Sequence, residues 1–205
     1  MKTSELYSKQ ISEIYNISPI ENIESILEYG LLSYNRAKMI FHKSVANIEI
    51  QNVRDNKIIT KDGLTLHDFA SCYFNPRNAM LYRLVSNGDK CIVFSISLDV
   101  LNLTDTLVSD RNASTQISRV YDVADGFAEL DFEKIRSRYW VDASGFQELS
   151  TKEKMQAEIL VKDVILPKYF NKIYVDSIET KMEILNITSK YNIEIEVNRD
   201  MFFYK

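Results

Sequence analysis

Glu158 stands two residues after Gln156 at the head of an otherwise apolar run, Lys154 to Val161 (KMQAEILV). Side chains two apart share one face of a strand, so this spacing sets a carboxylate beside an amide on the same side. A carboxylate held there can stabilise a developing cation while the amide orients a second substrate. Spacing alone also fits a solvent-facing polar pair at a strand end.

Two further stretches mix residue types that recognise rings and phosphates. Tyr73 to Tyr82 (YFNPRNAMLY) gathers aromatics, amides and Arg77 around one proline. Aromatic faces and guanidinium planes stack on bases and on nicotinamide-like rings. The same residues also read as a core strand, a turn and a helix start that buries Met80 and Leu81. In Val108 to Ala113 and Phe132 to Trp140 (FEKIRSRYW), Arg111, Arg119, Arg136 and Arg138 neighbour Tyr121, Tyr139 and Trp140. That suits single-stranded nucleic acid, where bases stack and phosphates pair with guanidinium. An amphipathic helix with a charged outer face, and Trp140 as a packing anchor, is the structural alternative.

The elements that must carry these residues follow from periodicity. Glu13 to Ile17 reads as a strand. Ser18-Pro19-Ile20-Glu21 has capping-box spacing with proline at the first helical position, and Ile20, Ile23, Ile26 and Leu27 form a stripe that stops at Gly30. Ser33 to Leu66 is irregular, with a turn at Asp62-Gly63, and reads as a long loop carrying one short helix. Lys90 to Leu98 (KCIVFSISL) predicts a buried strand. Met155 to Ile165 predicts another, and Lys172 to Asp176 follows. Ser177 to Tyr191 predicts a helix with Ile178, Met182, Leu185 and Thr188 at helical spacing. Ile193 to Val197 alternates as a strand, and Met201 to Tyr204 reads as a last edge strand. The sum is α+β. No GxGxxG or GxxxxGK[ST] is present, which disfavours the Rossmann and P-loop readings.

Composition narrows the classes further. The chain has 205 residues, of which 45% are hydrophobic and 26% charged, with five glycines and three prolines. These values fit one globular domain with a real core and exclude a low-complexity or linker-rich chain. No run of 18 apolar residues occurs and Met1 to Gln10 is polar, so neither a membrane span nor a secretory signal is expected. Cys72 and Cys91 are far apart and only His42 and His67 are present, so a structural metal site lacks ligands and a reduced, cytoplasmic protein is expected. A net charge of −4 argues against nonspecific coating of nucleic acid, which needs many Lys and Arg contacts to phosphate.

Taken in order, these segments resemble a known family. Tyr15 to Ile23 (YNISPIENI) with Gly30-Leu31-Leu32, Ile48 to Arg54 (IEIQNVR), Leu66 to Phe69 (LHDF), Cys72 to Tyr82, Ser109 to Ala113 (SDRNA) and Gln156 to Val161 (QAEILV) are similar to the motifs of DarT. DarT is the toxin of DarT/DarG toxin-antitoxin systems, an NAD-dependent ADP-ribosyltransferase that modifies thymidine in single-stranded DNA. The resemblance implies one ADP-ribosyltransferase domain over residues 1–205, with a split, mixed β core, an NAD cleft between its halves and peripheral helices.

By that resemblance Glu158 is the catalytic glutamate and Arg54 contacts NAD and assists loss of the thymine ring proton. A guanidinium is better suited to electrostatic aid than to accepting a proton. Asn16, Ser18, Asn22, Gln51, Tyr73, Met80 and Tyr82 fall to NAD binding, and Gln156, Arg77, Arg119, Arg138, Trp140 and Lys154 to DNA binding. The implied partners are single-stranded DNA and a macrodomain antitoxin of the DarG type, with no metal and no membrane. Asn16 and Pro19 stand where many relatives carry histidines, and Asn112 where some carry one. The alternatives are ADP-ribosyl transfer to RNA or protein, or a catalytically silent nucleic-acid-binding relative.

Overall fold

The computed structural model describes residues 2–40, 42–43 and 48–203. An N-terminal helix, α1 (Lys2–Ser8), leads into β1 (Ile14–Pro19), which runs two residues past the end its sequence suggests. Ser18 and Pro19 are thus in the strand, opposite Ile92 and Cys91 of β4 (Cys91–Ile96), and do not cap a helix. Proline tolerates this because its fixed φ suits extended backbone and Pro19 is the last residue of the strand. Ladder pairing therefore prevails over the capping box, and Glu21 pairs instead with Lys43 at 2.7 Å. One 3₁₀ turn later comes α2 (Ile23–Tyr29), whose Ile23, Ile26 and Leu27 are buried and which ends at Gly30, as the stripe requires.

Gly30 leads into β2 (Leu31–Leu32) with φ of +90°. A Cβ there would lie 2.4 Å from the carbonyl oxygen of Ile165 in β8 (Val164–Ile165), the partner of β2. Among the described residues, the expected loop from Ser33 to Leu66 holds two helices, a single turn at Tyr34–Ala37 and α3 (Ile48–Asn56). The α3 segment is polar and little buried, so periodicity gave it no signal. After it come β3 (Phe69–Tyr73) and α4 (Ala79–Ser86), capped by Asn78, whose side chain accepts from the backbone N–H groups of Met80 and Leu81.

Two short strands, β5 (Thr106–Ser109) and β6 (Val120–Asp122), were not anticipated. The stretch Phe132 to Trp140 is helical only over Phe132–Ile135. The strand expected from Met155 begins at Glu158, because α5 (Leu149–Lys154) continues through a hydrogen bond from the Met155 N–H to Thr151 O. Asp163, at φ +65°, then separates β7 (Glu158–Lys162) from β8.

The last elements are β9 (Phe170–Val175), α6 (Ile178–Thr188) and β10 (Glu194–Val197). The expected edge strand at Met201 is a 3₁₀ turn, Arg199–Met201, followed by buried Phe202. Tyr204 lies outside the described residues. Helix α6 starts after Ser177, whose hydroxyl accepts from the Thr180 N–H, as its sequence indicates, but buries a different face. Ile184, Thr180 and Thr188 point inward, whereas Ile178, Met182 and Leu185 are exposed.

Eight strands form one mixed sheet in the order β10-β9-β4-β1-β3-β7-β5-β6, antiparallel except for β10 on β9. The α+β class expected from the sequence is therefore observed. Strand β4 is buried along its whole length because Ile92, Phe94 and Ile96 enter one core while Cys91 and Val93 enter a second. Each fully buried branched side chain contributes roughly 1.5–3 kcal/mol. The middle of the sheet is its weak seam. Strand β1 pairs with β4 from Ile14 to Pro19, and β3 with β7 from Phe69 to Tyr73, yet β1 and β3 meet in register only at Tyr15 and Tyr73. The halves diverge beyond that pair and a cleft opens between them.

Candidate active site

Alternation along β3 builds one wall of the cleft. Phe69, Ser71 and Tyr73 face it, while Ala70 and Cys72 point into the main core. Asn16 and Ser18 of β1 line the opposite wall, and the Asn16 amide reaches across the seam to donate to Ser71 O at 3.0 Å. The cavity has a volume of about 500 Å³, within the roughly 300–1,000 Å³ usual for ligand sites.

Glu158 begins β7 at the point where the strand passes between Tyr73 of β3 and Ser109 of β5. It has no exposed surface. A buried carboxylate needs compensating donors. Its Oε1 accepts from the Ala113 N–H at 2.8 Å, and the Arg54 guanidinium lies 3.3–3.4 Å from both oxygens. Arg54 itself lines the cavity and donates to Ser71 Oγ at 2.7 Å. The last turn of α3 and the middle of β3 thereby converge on one carboxylate. Burial, with the charge of Glu158 adding to it, pushes the Tyr73 hydroxyl well above the ordinary tyrosine range. It stays neutral and donates to Met80 Sδ at 3.2 Å.

Asn16, Ser18, Asn22, Gln51, Arg54, Tyr73 and Met80 all line the cleft, so seven of the residues assigned to NAD by resemblance come together there. Tyr82 does not. It is half exposed on the outer face of α4 and meets Trp140 and Phe203 edge-on. In α4, residues 79, 80 and 83 face the cleft, and helical rotation turns 82 away from them.

Residues assigned to DNA by resemblance divide more sharply. Gln156 lines the cleft from the turn before β7 rather than from the strand itself. Its amide nitrogen donates to Lys152 O and its oxygen stands 3.4 Å from the Asn112 amide nitrogen. Lys154 is largely buried and bound to Asp110 at 2.6 Å. Trp140 is buried under Tyr82 and Phe203, which makes it a packing anchor and leaves little ring surface for a base. Arg77 secures the C-terminal segment by donating to the backbone oxygens of Asp200 and Phe202 and by lying 4.3 Å above the Phe203 ring. Arg138 is exposed but paired with Asp200. Arg119 is exposed on the loop after Asn112.

The structure also brings in residues that the sequence did not single out for the site. Ser71 could have been found from the inward register of β3. His67 lies under α3, with its ring nitrogens 2.8 Å from Gln51 Oε1 and 3.0 Å from Asp55 Oδ1, and it stacks on Tyr34 at 4.1 Å. No sequence signal joins those four residues. Ala113 acts through its backbone, which leaves no mark in residue type. Among the described residues no cluster of three or more metal-ligating side chains occurs, and no helix is long and apolar enough to cross a membrane.

Comparison with known proteins agrees with this geometry. A DNA ADP-ribosyl transferase–DNA ADP-ribosyl glycohydrolase fusion protein of Thermosipho africanus is 29% identical over 202 residues, covering 93% of this chain. The chain spans about half of that relative, 49% of its length. A DNA ADP-ribosyl transferase of Thermus sp. is 29% identical over 188 residues, covering 87% of this chain and 88% of the relative. Among solved structures, Thermus sp. 2.9 DarT in complex with ADP-ribosylated single-stranded DNA matches with a TM-score of 0.81 and 25% identity over 95% of this chain and 97% of that one. Thermosipho africanus DarTG in complex with ADP-ribose matches with a TM-score of 0.79 and 29% identity over 94% of this chain and 51% of that one. The fold is that of the DarT ADP-ribosyltransferases. With the family model of ssDNA thymidine ADP-ribosyltransferase DarT matched across residues 15–203, the chain belongs to the DarT family.

Proposed function

We propose that this chain transfers ADP-ribose from NAD to a thymidine base in single-stranded DNA, with Glu158 as the catalytic carboxylate. The observation that carries the reading is a fully buried glutamate paired with Arg54, which lines a ligand-sized cleft, and oriented by that guanidinium and by the Ala113 N–H. The lining suits a dinucleotide. Arg54 offers positive charge for a pyrophosphate, the amides of Asn16, Asn22 and Gln51 offer polar groups, and Tyr73 with Met80 offers an apolar face. NAD supplies the ADP-ribosyl group, and nicotinamide leaves.

Breaking that glycosidic bond develops positive charge on the ribose. A carboxylate hydrogen-bonded to a ribose hydroxyl stabilises this charge. Arg54 holds the carboxylate in place, and its positive charge favours loss of the thymine ring proton to solvent without accepting it. Gln156 reads the acceptor from the cleft wall, beside Asn112. Residues 1–205 act as one catalytic unit, in the cytoplasm where DNA is available. The fusion of the Thermosipho africanus relative to a DNA ADP-ribosyl glycohydrolase supports a macrodomain antitoxin of the DarG type as partner.

Intact mass of thymidine-containing and thymidine-free single-stranded oligonucleotides after incubation with NAD tests the reading. A gain of one ADP-ribose is expected only with thymidine and only with Glu158 intact. Consumption of NAD with mass gained by RNA or protein instead would replace the acceptor. No transfer to any acceptor would make the chain a silent relative.

A further inference from the structure

Lys57 follows α3 directly and closes it with a backbone hydrogen bond to Val53 O. Its ammonium does not face the cleft. It donates instead to three oxygens of one loop, Ala113 O at 2.7 Å, Thr115 O at 2.6 Å and Ser118 Oγ at 2.5 Å. Ser118 Oγ, with one proton to donate, lies 2.9 Å from both Ala113 O and Thr115 O. An ammonium has three protons, and here each finds an acceptor. Partly burying a cation against uncharged partners is unfavourable unless its protons are bonded, and here all three are.

The loop that Lys57 holds is the one whose Ala113 N–H donates to Glu158 Oε1. The helix that Lys57 ends is the one whose last turn carries Arg54, the other partner of Glu158. Lys57 thus ties together the two elements that orient the carboxylate. We infer that Lys57 is a positioning residue of the transfer reaction, bracing the 113–118 loop against α3 so that the Ala113 N–H and Arg54 fix the Glu158 carboxylate in its productive orientation. Burial lowers the proton affinity of the ammonium, with Glu158 opposing that effect, in keeping with a cation kept near the carboxylate.

The inference rests on the reading of Glu158 as the catalytic carboxylate, and the test separates the two. Steady-state transfer to a thymidine oligonucleotide is measured for the wild type, Lys57→Met, Lys57→Cys and Glu158→Gln, with thermal melting alongside. Lys57→Met is expected to lower kcat by about 10- to 100-fold, the scale of one lost hydrogen-bonded charge and a misaligned catalytic group. KM for NAD should stay within about threefold, since Lys57 does not line the cavity.

Treating Lys57→Cys with 2-bromoethylamine rebuilds an ammonium at the same reach, and it should restore most of the lost kcat. The native thiols do not interfere. Cys72 has no exposed surface, and burial pushes the Cys91 thiol up to about 12. If Lys57→Met does not fold, the alkylated and unalkylated Lys57→Cys proteins carry the comparison. An unchanged kcat, a loss wholly in KM, or no recovery in an alkylated protein that melts like wild type overturns the inference. Full activity in Glu158→Gln overturns the reading of Glu158 itself, whatever Lys57 does.

Discussion

The Ser71 hydroxyl accepts a 2.7 Å hydrogen bond from Arg54 Nη2, the same nitrogen that lies 3.3 Å from Glu158 Oε2. Without it Arg54 keeps its ion pair but loses the contact that fixes its plane. Ser71→Ala should therefore lower kcat for transfer by about 5- to 10-fold, the value of roughly 1 kcal/mol from one charge-assisted bond, with melting temperature little changed. Wild-type kcat in this variant would mean that the ion pair alone orients Arg54.

Gln156 is expected to govern the acceptor more than the donor. It lines the cleft through a side chain held by Lys152 O and Asn112, and it does not touch the Glu158 carboxylate. Gln156→Ala should reduce transfer to oligonucleotide by at least about tenfold, the loss expected when a positioning contact goes. Release of nicotinamide to water should fall much less. Parallel assays of modified oligonucleotide and free nicotinamide check this, and equal losses in both would move Gln156 to donor binding.

Gly30 combines a left-handed φ of +90° with a backbone oxygen 2.4 Å from any added Cβ. Gly30→Ala must strain the backbone or part β2 from β8, which destabilises by more than about 1 kcal/mol. Calorimetry should record a fall in melting temperature of at least roughly 2–4 °C for a chain of this length. A variant that melts with the wild type would show that the β2–β8 pair yields without cost.

Asp110 gives a pH signature to the loop that carries Ala113. Burial alone would raise its carboxyl, but hydrogen bonds from Lys154, the Arg119 N–H and Arg111 outweigh burial and hold it below its ordinary 3.8. A carboxyl depressed in the folded state stabilises fully above its unfolded value, and the contribution is lost as pH falls through the folded one. The gap in melting temperature between wild type and Asp110→Asn should thus be constant near neutrality and close as pH drops below about 4. A gap that persists unchanged in acid would assign the effect to shape rather than charge.

Much of the machinery was legible in residue types and local spacing. The apolar stripe that stops at Gly30, the buried run of β4 and the Ser177 cap each follow from neighbours along the chain, and each is observed. The ordered motifs, with Glu158 and Arg54 among them, mark the family whose model matches residues 15–203. Local signals failed where two local preferences competed and a distant strand decided between them. Ser18 and Pro19 have the spacing of a helix cap, but the open edge of β4 offered them ladder partners. Of the α6 stripe only Thr188 is buried, while Ile178, Met182 and Leu185 are exposed, because periodicity gives the angle between side chains and not the side on which the sheet lies.

Tertiary structure alone decided how the site is assembled. Residues 54, 71, 113 and 158 meet through the paired strands β3 and β7, the end of α3 and a loop held by Lys57, and no spacing along the chain encodes those distances. It also separated cleft from scaffold. Tyr82, Trp140 and Arg77 share the residue types of a stacking surface, yet they pack on the C-terminal segment beside Phe203. Residue type fixes what a side chain is able to do, whereas burial and partners, set by contacts far apart in sequence, determine what it does.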